Sequence, residues 1–276
     1  MQEKSAEVIK KINELQQQID ALGTKIDSLL PQIDKRIERW TWERYVRIRR
    51  NINGQGWNLL YTMNPETVKP VHTDTEYGID FFMEIRYGSV QSAEAILGCV
   101  FKYLPHGSVV DFGCGTGTWL WVAKAFGTKK VLGVDGIWVP RNLLMIDGRE
   151  FLPADLETDV SVPGKFDLAI SVECAEYLSP KAADGFVTSL CNASDIVLFS
   201  AAHPGQGGDH HVNEQPMTYW EEKFQQHDFL PVQIRQLLPQ NDSRILWWYR
   251  DNIILFTKRN IHDRIAKKFD SGDSGR

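Results

Sequence analysis

Between residues 4 and 40, apolar side chains recur at alternating steps of three and four: Val8, Ile12, Leu15, Ile19, Leu22, Ile26, Leu29 and Ile33. This heptad spacing marks a helix that buries a narrow seam against another helix. Ile12, Ile19, Ile26 and Ile33 take the a positions, with Val8, Leu15, Leu22 and Leu29 at d, a combination that favours two parallel strands. Pro31 lacks an amide donor and kinks or ends the helix, and Gly23 weakens it. The e and g positions (Lys11, Gln16, Gln18, Gly23, Lys25, Leu30) carry no complementary charges, so parallel orientation is weakly specified. The pattern fits a homo-oligomer joined by its coil, or one amphipathic helix lying on its own domain.

From about residue 90 the pattern changes to short apolar runs alternating with helical periodicity. Helices are predicted at Gln91–Leu104, Trp119–Phe126, Lys181–Cys191 and Thr218–His227. Strands are predicted at Ser108–Phe112, Lys130–Val134, Phe166–Val172, Asp195–Phe199, Leu230–Ile234 and Asn252–Thr257. Such alternation implies a mostly parallel sheet covered on both faces. No helix is predicted between the last two strands, which allows them to pair antiparallel. The expected organisation is a coiled-coil helix at 1–40, a basic helix and linker at 41–84, the α/β domain at 85–262 and a flexible tail at 263–276.

Composition narrows the partners. The chain has 276 residues, 42% of them hydrophobic, and a net charge of −5. That balance gives no global attraction to nucleic acid or anionic membrane. A basic aromatic stretch does occur, with Arg36, Arg39, Trp40, Trp42, Arg44, Arg47, Arg49 and Arg50. It reads either as a phosphate-binding surface or as a solvated helix docked through its tryptophans. The acidity of the rest of the chain favours the second reading. Cys99, Cys114, Cys174 and Cys191 lie far apart without a paired motif, and three of them sit in apolar runs, as expected of buried, reduced thiols. The N-terminus is polar rather than signal-like, and no run reaches the roughly 18 apolar residues a membrane span needs. A cytoplasmic location is the expectation.

The chemistry concentrates in Asp111-Phe112-Gly113-Cys114-Gly115-Thr116-Gly117, which follows a strand and opens a helix. Glycines let a backbone turn tightly against a ligand, and free amides at a helix start attract an anionic group. A glycine loop alone also fits a dinucleotide site. Two features separate the readings. The acid at the head of the loop repels a pyrophosphate but pairs with an ammonium. Asp135 then ends the next strand, about twenty residues on, where an acid suits two ribose hydroxyls.

These segments resemble the motifs of class I S-adenosylmethionine-dependent methyltransferases, in the order expected of that family. Val134-Asp135-Gly136 is similar to the second motif. Phe151-Leu152-Pro153-Ala154-Asp155-Leu156 is similar to the loop that holds the adenine amino group. Phe166–Glu173 is similar to the fourth strand and its active-site edge. The resemblance covers about residues 85–260. It implies a Rossmann-like seven-stranded sheet with the last strand antiparallel. It also implies S-adenosylmethionine as cofactor, with Asp111, Gly113, Gly115 and Gly117 at its methionine end, Asp135 at ribose, and Asp155 and Leu156 at adenine. Tyr87 is either a contact of the cofactor carboxylate or a packed aromatic.

The acceptor side is read from Glu173-Cys174-Ala175-Glu176-Tyr177 and from the run His203–Gln215 after the fifth strand. The Asn/Asp-Pro-Pro-Tyr/Phe segment of amino-methylating nucleic-acid enzymes is missing. The loop holds three histidines, and imidazole titrates near neutral pH, so His210 or His211 is a candidate general base. A solvated polar loop is the bland alternative. Gly-Gly-x-x-His211-x-Asn213-Glu214-Gln215 resembles a loop of bacterial methyltransferases that tailor sugars and natural products. Trp247–Asn252 resembles the same group and is expected to close the acceptor pocket. Glu173-x-x-Glu176 with a later histidine is similar to the divalent-metal site of enzymes that methylate the terminal ribose of small RNAs. Tyr177, however, stands where that site has a histidine, and phenol is a poor ligand at neutral pH. The competing reading is metal-free catalysis by His211, oriented by Glu176. The expected activity is O-methylation of a sugar or other small-molecule acceptor; alternatives are an RNA ribose methyltransferase and a non-catalytic S-adenosylmethionine-binding subunit.

Overall fold

The computed structural model describes residues 79–208, 210–239 and 242–271. The coiled-coil and basic segments up to residue 78, and residues 272–276, lie outside the described residues, as does the side chain of Tyr87. In chain order the elements are α1 (Ile79–Val100), β1 (Ser108–Phe112), α2 (Thr118–Ala125), β2 (Lys130–Asp135), β3 (Phe151–Pro153), β4 (Leu168–Val172) and α3 (Ala183–Ala193). They continue with β5 (Ile196–Ser200), α4 (Met217–Gln226), β6 (Phe229–Val232), α5 (Trp247–Asn252), β7 (Ile254–Lys258) and α6 (Arg259–Ser271). No helix among the described residues is long and apolar enough to cross a membrane.

The strands form one seven-stranded sheet in the order β3-β2-β1-β4-β5-β7-β6. Strands β1 to β5 pair in parallel, and β7 runs antiparallel to both β5 and β6. From β1 the chain steps outward to β2 and β3; from β4 it steps the other way, to β5. Right-handed crossovers then put α2 and α3 on opposite faces. Helix α1 packs on α2, α4 packs on α3, and α6 covers β6 and β7. The segments leaving β1 and β4 diverge, which opens a crevice at the carboxyl edge of the sheet.

Strand side chains alternate between the faces. Val110, Phe112, Val134, Val197, Phe199, Ile254 and Phe256 meet Phe186 and Leu190 of α3 and Trp220 and Phe224 of α4 in one buried cluster. The rings of Phe224 and Phe256 stack at 3.9 Å. The intervening residues Val109, Leu168, Ile170, Leu198 and Leu255 are also fully buried. Burial on both faces explains why these strands read as continuous apolar runs.

The structure corrects several expectations. Helix α1 starts at Ile79 rather than Gln91, so a domain boundary at 85 would cut it. Gly88 interrupted its helical pattern, yet a Cβ there would lie 2.4 Å from Leu246 Cδ1; close packing requires the glycine. A helix, α5, does separate β6 from β7. It turns Tyr249 inward, so that its hydroxyl meets Ser89 Oγ at 2.8 Å and its ring meets Trp119. Residues 263–271 belong to α6 and are not part of a flexible tail. Their polar composition hides a narrow apolar stripe whose Ile265 and Phe269, one turn apart, are both 3% exposed. Phe269→Ala should therefore destabilise the protein by about 3–5 kcal/mol in chemical denaturation. A neutral result would show that the tail does not pack.

Candidate active site at the carboxyl edge of the sheet

The glycine loop leaves β1 at its carboxyl end. The Gly113 amide donates to Val134 O at 2.8 Å, continuing the pairing of β1 with β2. Gly113 has φ +81°, and a Cβ there would lie 2.1 Å from Cys174 Sγ. Gly117 caps α2 in the left-handed conformation, with Ile146 packed where its Cβ would stand. Both positions thus need glycine for conformation and for space. Asp135 fastens the loop from below: Oδ2 accepts the Gly115 amide at 2.7 Å and Oδ1 the Gly136 amide at 2.6 Å. Burial pushes its carboxyl up to about 6, against the pull of those two amides.

Asp111 is 2% exposed, so it is not a solvated acid at a structural turn. Its Oδ2 is buried with no hydrogen-bond partner. Burial and then Asp135 hold its pKa well above the ordinary value. Beyond β3, Ala154 N donates to Asp135 O at 2.9 Å, which brings Asp155 to the same edge. Asp155 is exposed and accepts the Glu157 amide, whereas the Leu156 side chain belongs to the hydrophobic core. Sequence reading missed Ile137 and Trp138, which follow the acid that ends β2. Ile137 is 82% exposed, and the indole of Trp138 lies over Gly136. Their signal was a pair of large apolar residues just after that acid.

The second half of the crevice lies at the ends of β4 and β5. Glu173 has φ +50°, a left-handed conformation uncommon outside glycine. Its Oε1 accepts from Ser200 Oγ at 2.7 Å and Asn252 Nδ2 at 3.2 Å, and its Oε2 from Gln206 Nε2 at 2.8 Å. Asn252 also donates to Gln206 Oε1 at 2.8 Å. One carboxylate therefore ties together β4, β5, the histidine loop and α5. Burial raises the Glu173 pKa despite these bonds. Glu176 is 1% exposed, with neither carboxylate oxygen partnered. Burial and then Glu173 raise its pKa well above the ordinary range.

The histidine loop docks on this edge through its backbone. The amides of Val212 and Asn213 donate to Glu176 O at 2.9 and 3.0 Å. His211 Nδ1 lies 2.9 Å from Glu214 Oε1, and the ring meets Tyr177 edge-on at 4.9 Å. Glu214, not Glu176, is thus the carboxylate that orients His211. Glu214 also accepts the Gly205 and Gly207 amides, each at 2.8 Å. The His211 bond and the Gly205 amide lead in holding its pKa low. Glu214 is half-buried and three residues from His211, whereas the Glu176 side chain is turned into the interior. His203 and His210 are exposed.

Among the described residues no three His, Cys, Asp or Glu side chains are arranged to hold a metal ion. Glu173 is engaged by Ser200, Gln206 and Asn252, and His211 by Glu214. Two of the donors that the spacing suggested for a divalent ion are thus engaged by other side chains. Cys174 sits between the two halves of the site. Its thiol is pushed well up by burial, then by Asp135, Glu176 and Asp111. All four described cysteines are free.

No protein-family model and no curated protein matches the chain. Similar solved structures include human N-acetylserotonin methyltransferase with S-adenosylmethionine, at 13% identity and TM-score 0.46, covering 65% of this chain and 55% of that one. A magnesium protoporphyrin IX methyltransferase from Synechocystis is similar at 17% identity and TM-score 0.47, covering 67% and 86%. A TehB-like methyltransferase from Corynebacterium glutamicum is similar at 18% identity and TM-score 0.41, covering 60% and 87%. The chain spans little more than half the length of the human enzyme and of LaPhzM, 55% and 57%.

The raised Asp135 pKa gives a pH signature. Folding favours its neutral form, so its contribution to stability is fully present below the ordinary aspartate pKa and is lost as pH rises through about 6. The loss amounts to about 3 kcal/mol. Melting temperatures of ligand-free protein between pH 4 and 8 should show this decline, and Asp135→Asn should make it shallower, leaving the part due to Asp111, Glu173 and Glu176. Equal slopes in the two proteins would contradict the assignment.

Proposed function

We propose that the chain is an S-adenosylmethionine-dependent O-methyltransferase acting on a hydroxyl of a sugar or other small-molecule acceptor. The observation that carries this reading is the set of acids at one edge of the sheet, buried Asp111 and Glu176 and half-buried Asp135 and Glu173, gathered around a glycine loop. Burial is the largest cause of the raised pKa of all four, and no lysine or arginine is among the groups that pull them down. A ligand carrying positive charge suits these acids, whereas a dinucleotide would bring its pyrophosphate against Asp111 and Asp135. S-adenosylmethionine fits this requirement through its ammonium and sulfonium, and when bound it supplies an electrophilic methyl group.

The unpartnered Asp111 Oδ2 suits the ammonium. Asp135 keeps free lone pairs on both oxygens for ribose hydroxyls. Ile137 and Trp138 offer apolar surface for a flat base beside Asp155. On the acceptor side, a Glu214 carboxylate accepting from Nδ1–H leaves Nε2 of His211 as the basic nitrogen. His211 would take the proton of the acceptor hydroxyl at Nε2 as the methyl group passes from sulfur to oxygen and S-adenosylhomocysteine leaves. Glu214 stabilises the imidazolium that results. Glu173 is a positioning residue that holds β4, β5, the histidine loop and α5 together. Glu176 lies buried beside it, where burial and then the Glu173 carboxylate hold its pKa well above the ordinary range. The acidic rim disfavours RNA as acceptor, and the heptads of residues 4–40 support assembly through a coil.

His211→Ala should lower turnover by about 100- to 10,000-fold while leaving S-adenosylmethionine affinity nearly unchanged, as read by calorimetry beside a methyl-transfer assay. Retained turnover would remove His211 as base. Chelation should leave turnover unchanged, as metal-free proton transfer by His211 requires; loss restored by a divalent salt would reverse that. Labelled methyl groups should appear in polyhydroxylated small molecules. Transfer to RNA, with an affinity that falls as salt rises, would favour the ribose alternative.

A further inference from the structure

The amino ends of the parallel strands form the edge of the sheet opposite the crevice. There Ser108 of β1 is level with Lys130 of β2, and Val109 with Leu168 of β4. The loops that lead into β1 and β2 meet at this edge: the Lys129 and Lys130 amides both donate to Gly107 O, at 2.9 and 3.1 Å. These loops, residues 101–107 and 126–130, contain Lys102, His106, Lys129 and Lys130 and no acid. The three lysines are exposed, and no ion pair among the described residues includes them. The acids that stand just before β4, β5 and β6 are engaged. Asp167 accepts the Ser108 amide at 2.9 Å, Asp195 pairs with Lys165 at 3.0 Å and Asp228 with Arg259 at 2.6 Å.

An apolar group belongs to the same surface. Phe126, just after α2, is 43% exposed. Its ring meets Phe101 edge-on at 6.1 Å, and the His106 ring stacks on Phe101 at 4.2 Å. Gly98 lies beside it, since a Cβ there would be 3.3 Å from Phe126 Cζ. A single exposed aromatic needs no explanation. One that shares two short loops with three lysines and no acid has the composition of a surface that meets a lipid headgroup layer.

Three features favour lipid. Lysine offers mobile point charges on long stems, which suit a diffuse layer of phosphates, whereas one fixed phosphate is better gripped by the planar fork of arginine. The apolar part is a single ring, far short of the core that a specific protein interface buries. The charge of the molecule is also divided between its edges. Asp111, Asp135, Asp155, Glu173 and Glu214 follow the strand ends at the crevice, which an anionic surface repels. A chain of net charge −5 is then held in one orientation only, with its basic edge inward. We propose that the edge carrying Lys102, Phe126, Lys129 and Lys130 docks on an anionic lipid membrane, with the phenyl ring at headgroup level, so that the crevice opens into water.

The test is sedimentation of the full chain with vesicles of phosphatidylcholine, alone or mixed with about one third phosphatidylglycerol, the proportion that sets the surface potential. The mixed vesicles should bind the protein and the neutral ones should not, and binding should weaken as salt rises. Changing Lys102, Lys129 and Lys130 together to Gln should weaken binding about 100-fold, and Lys129→Gln alone about fivefold. Phe126→Ser should cost about fivefold. Arg44→Gln with Arg47→Gln, in the basic stretch of residues 36–50, should bind as wild type does. Absence of binding to mixed vesicles would overturn the proposal and leave the surface to an acidic protein. Equal binding to both vesicles would overturn it too, as would binding lost with the arginines and kept without the lysines. Should the triple variant fail to fold, unchanged affinity in both Lys129→Gln and Phe126→Ser decides against it.

Discussion

Two backbone amides, from Gly115 and Gly136, converge on the carboxylate of Asp135, and the geometry of the crevice follows from that convergence. The carboxylate at the end of β2 fixes a loop that begins at the end of β1. It can do so because the parallel pairing of β1 with β2 ends with both segments at the same edge. Together with the bonds from Gly113 N to Val134 O and from Gly117 N to Cys114 O, it holds the loop with Gly113, Gly115 and Gly117 in left-handed conformations. The fastening carboxylate is half-buried, and its charge adds to burial in raising the pKa of Asp111 and of the Cys174 thiol. The same interaction that shapes the loop thereby makes its surroundings electrically demanding.

A second carboxylate does similar work at β4. Glu173 gathers Ser200, Gln206 and Asn252, which come from three separate elements. The chain adopts a left-handed conformation at Glu173 to bring this about, a local cost that tertiary bonds offset. Behind it, Glu176 is buried without a side-chain partner, and its carbonyl anchors the histidine loop. The candidate site is therefore two polar clusters, one on each side of the switch point, with Cys174 packed between them against Gly113. An apolar thiol there keeps the glycine loop and the β4 edge in contact without adding a further charge.

Much of this was legible in the chain. Strand β1 was bounded as observed, because an apolar run followed by a glycine loop has little freedom of interpretation. The order of helices and strands followed from the switch between the two periodicities. The glycine loop, Asp135 and the histidine loop all lie at the sheet edge that their positions after strands implied. Elements stabilised by contact rather than by pattern were not legible. Helix α1 before Gln91 contains a glycine whose purpose lies in Leu246, far along the chain. Helix α6 shows only a narrow stripe. The three residues of β3 form a strand because β2 lies beside them.

At the site, local sequence determined which residue types are available and which edge they occupy: the acids ending β1, β2 and β4, the glycines between β1 and α2, and the imidazoles after β5. It also determined the heptads of residues 4–40. Tertiary structure decided the pairing. It joined His211 to Glu214 rather than Glu176, used the oxygens of Glu173 for Ser200, Gln206 and Asn252, and set Arg86 against Thr116 and the Leu143 carbonyl. The reason is physical. Spacing along a strand or helix sets direction within one element, but the partner of a charged group and the water it loses depend on elements that meet only when the sheet closes. The glycine loop could be read from its own residues; the unpaired charges on either side of it could not.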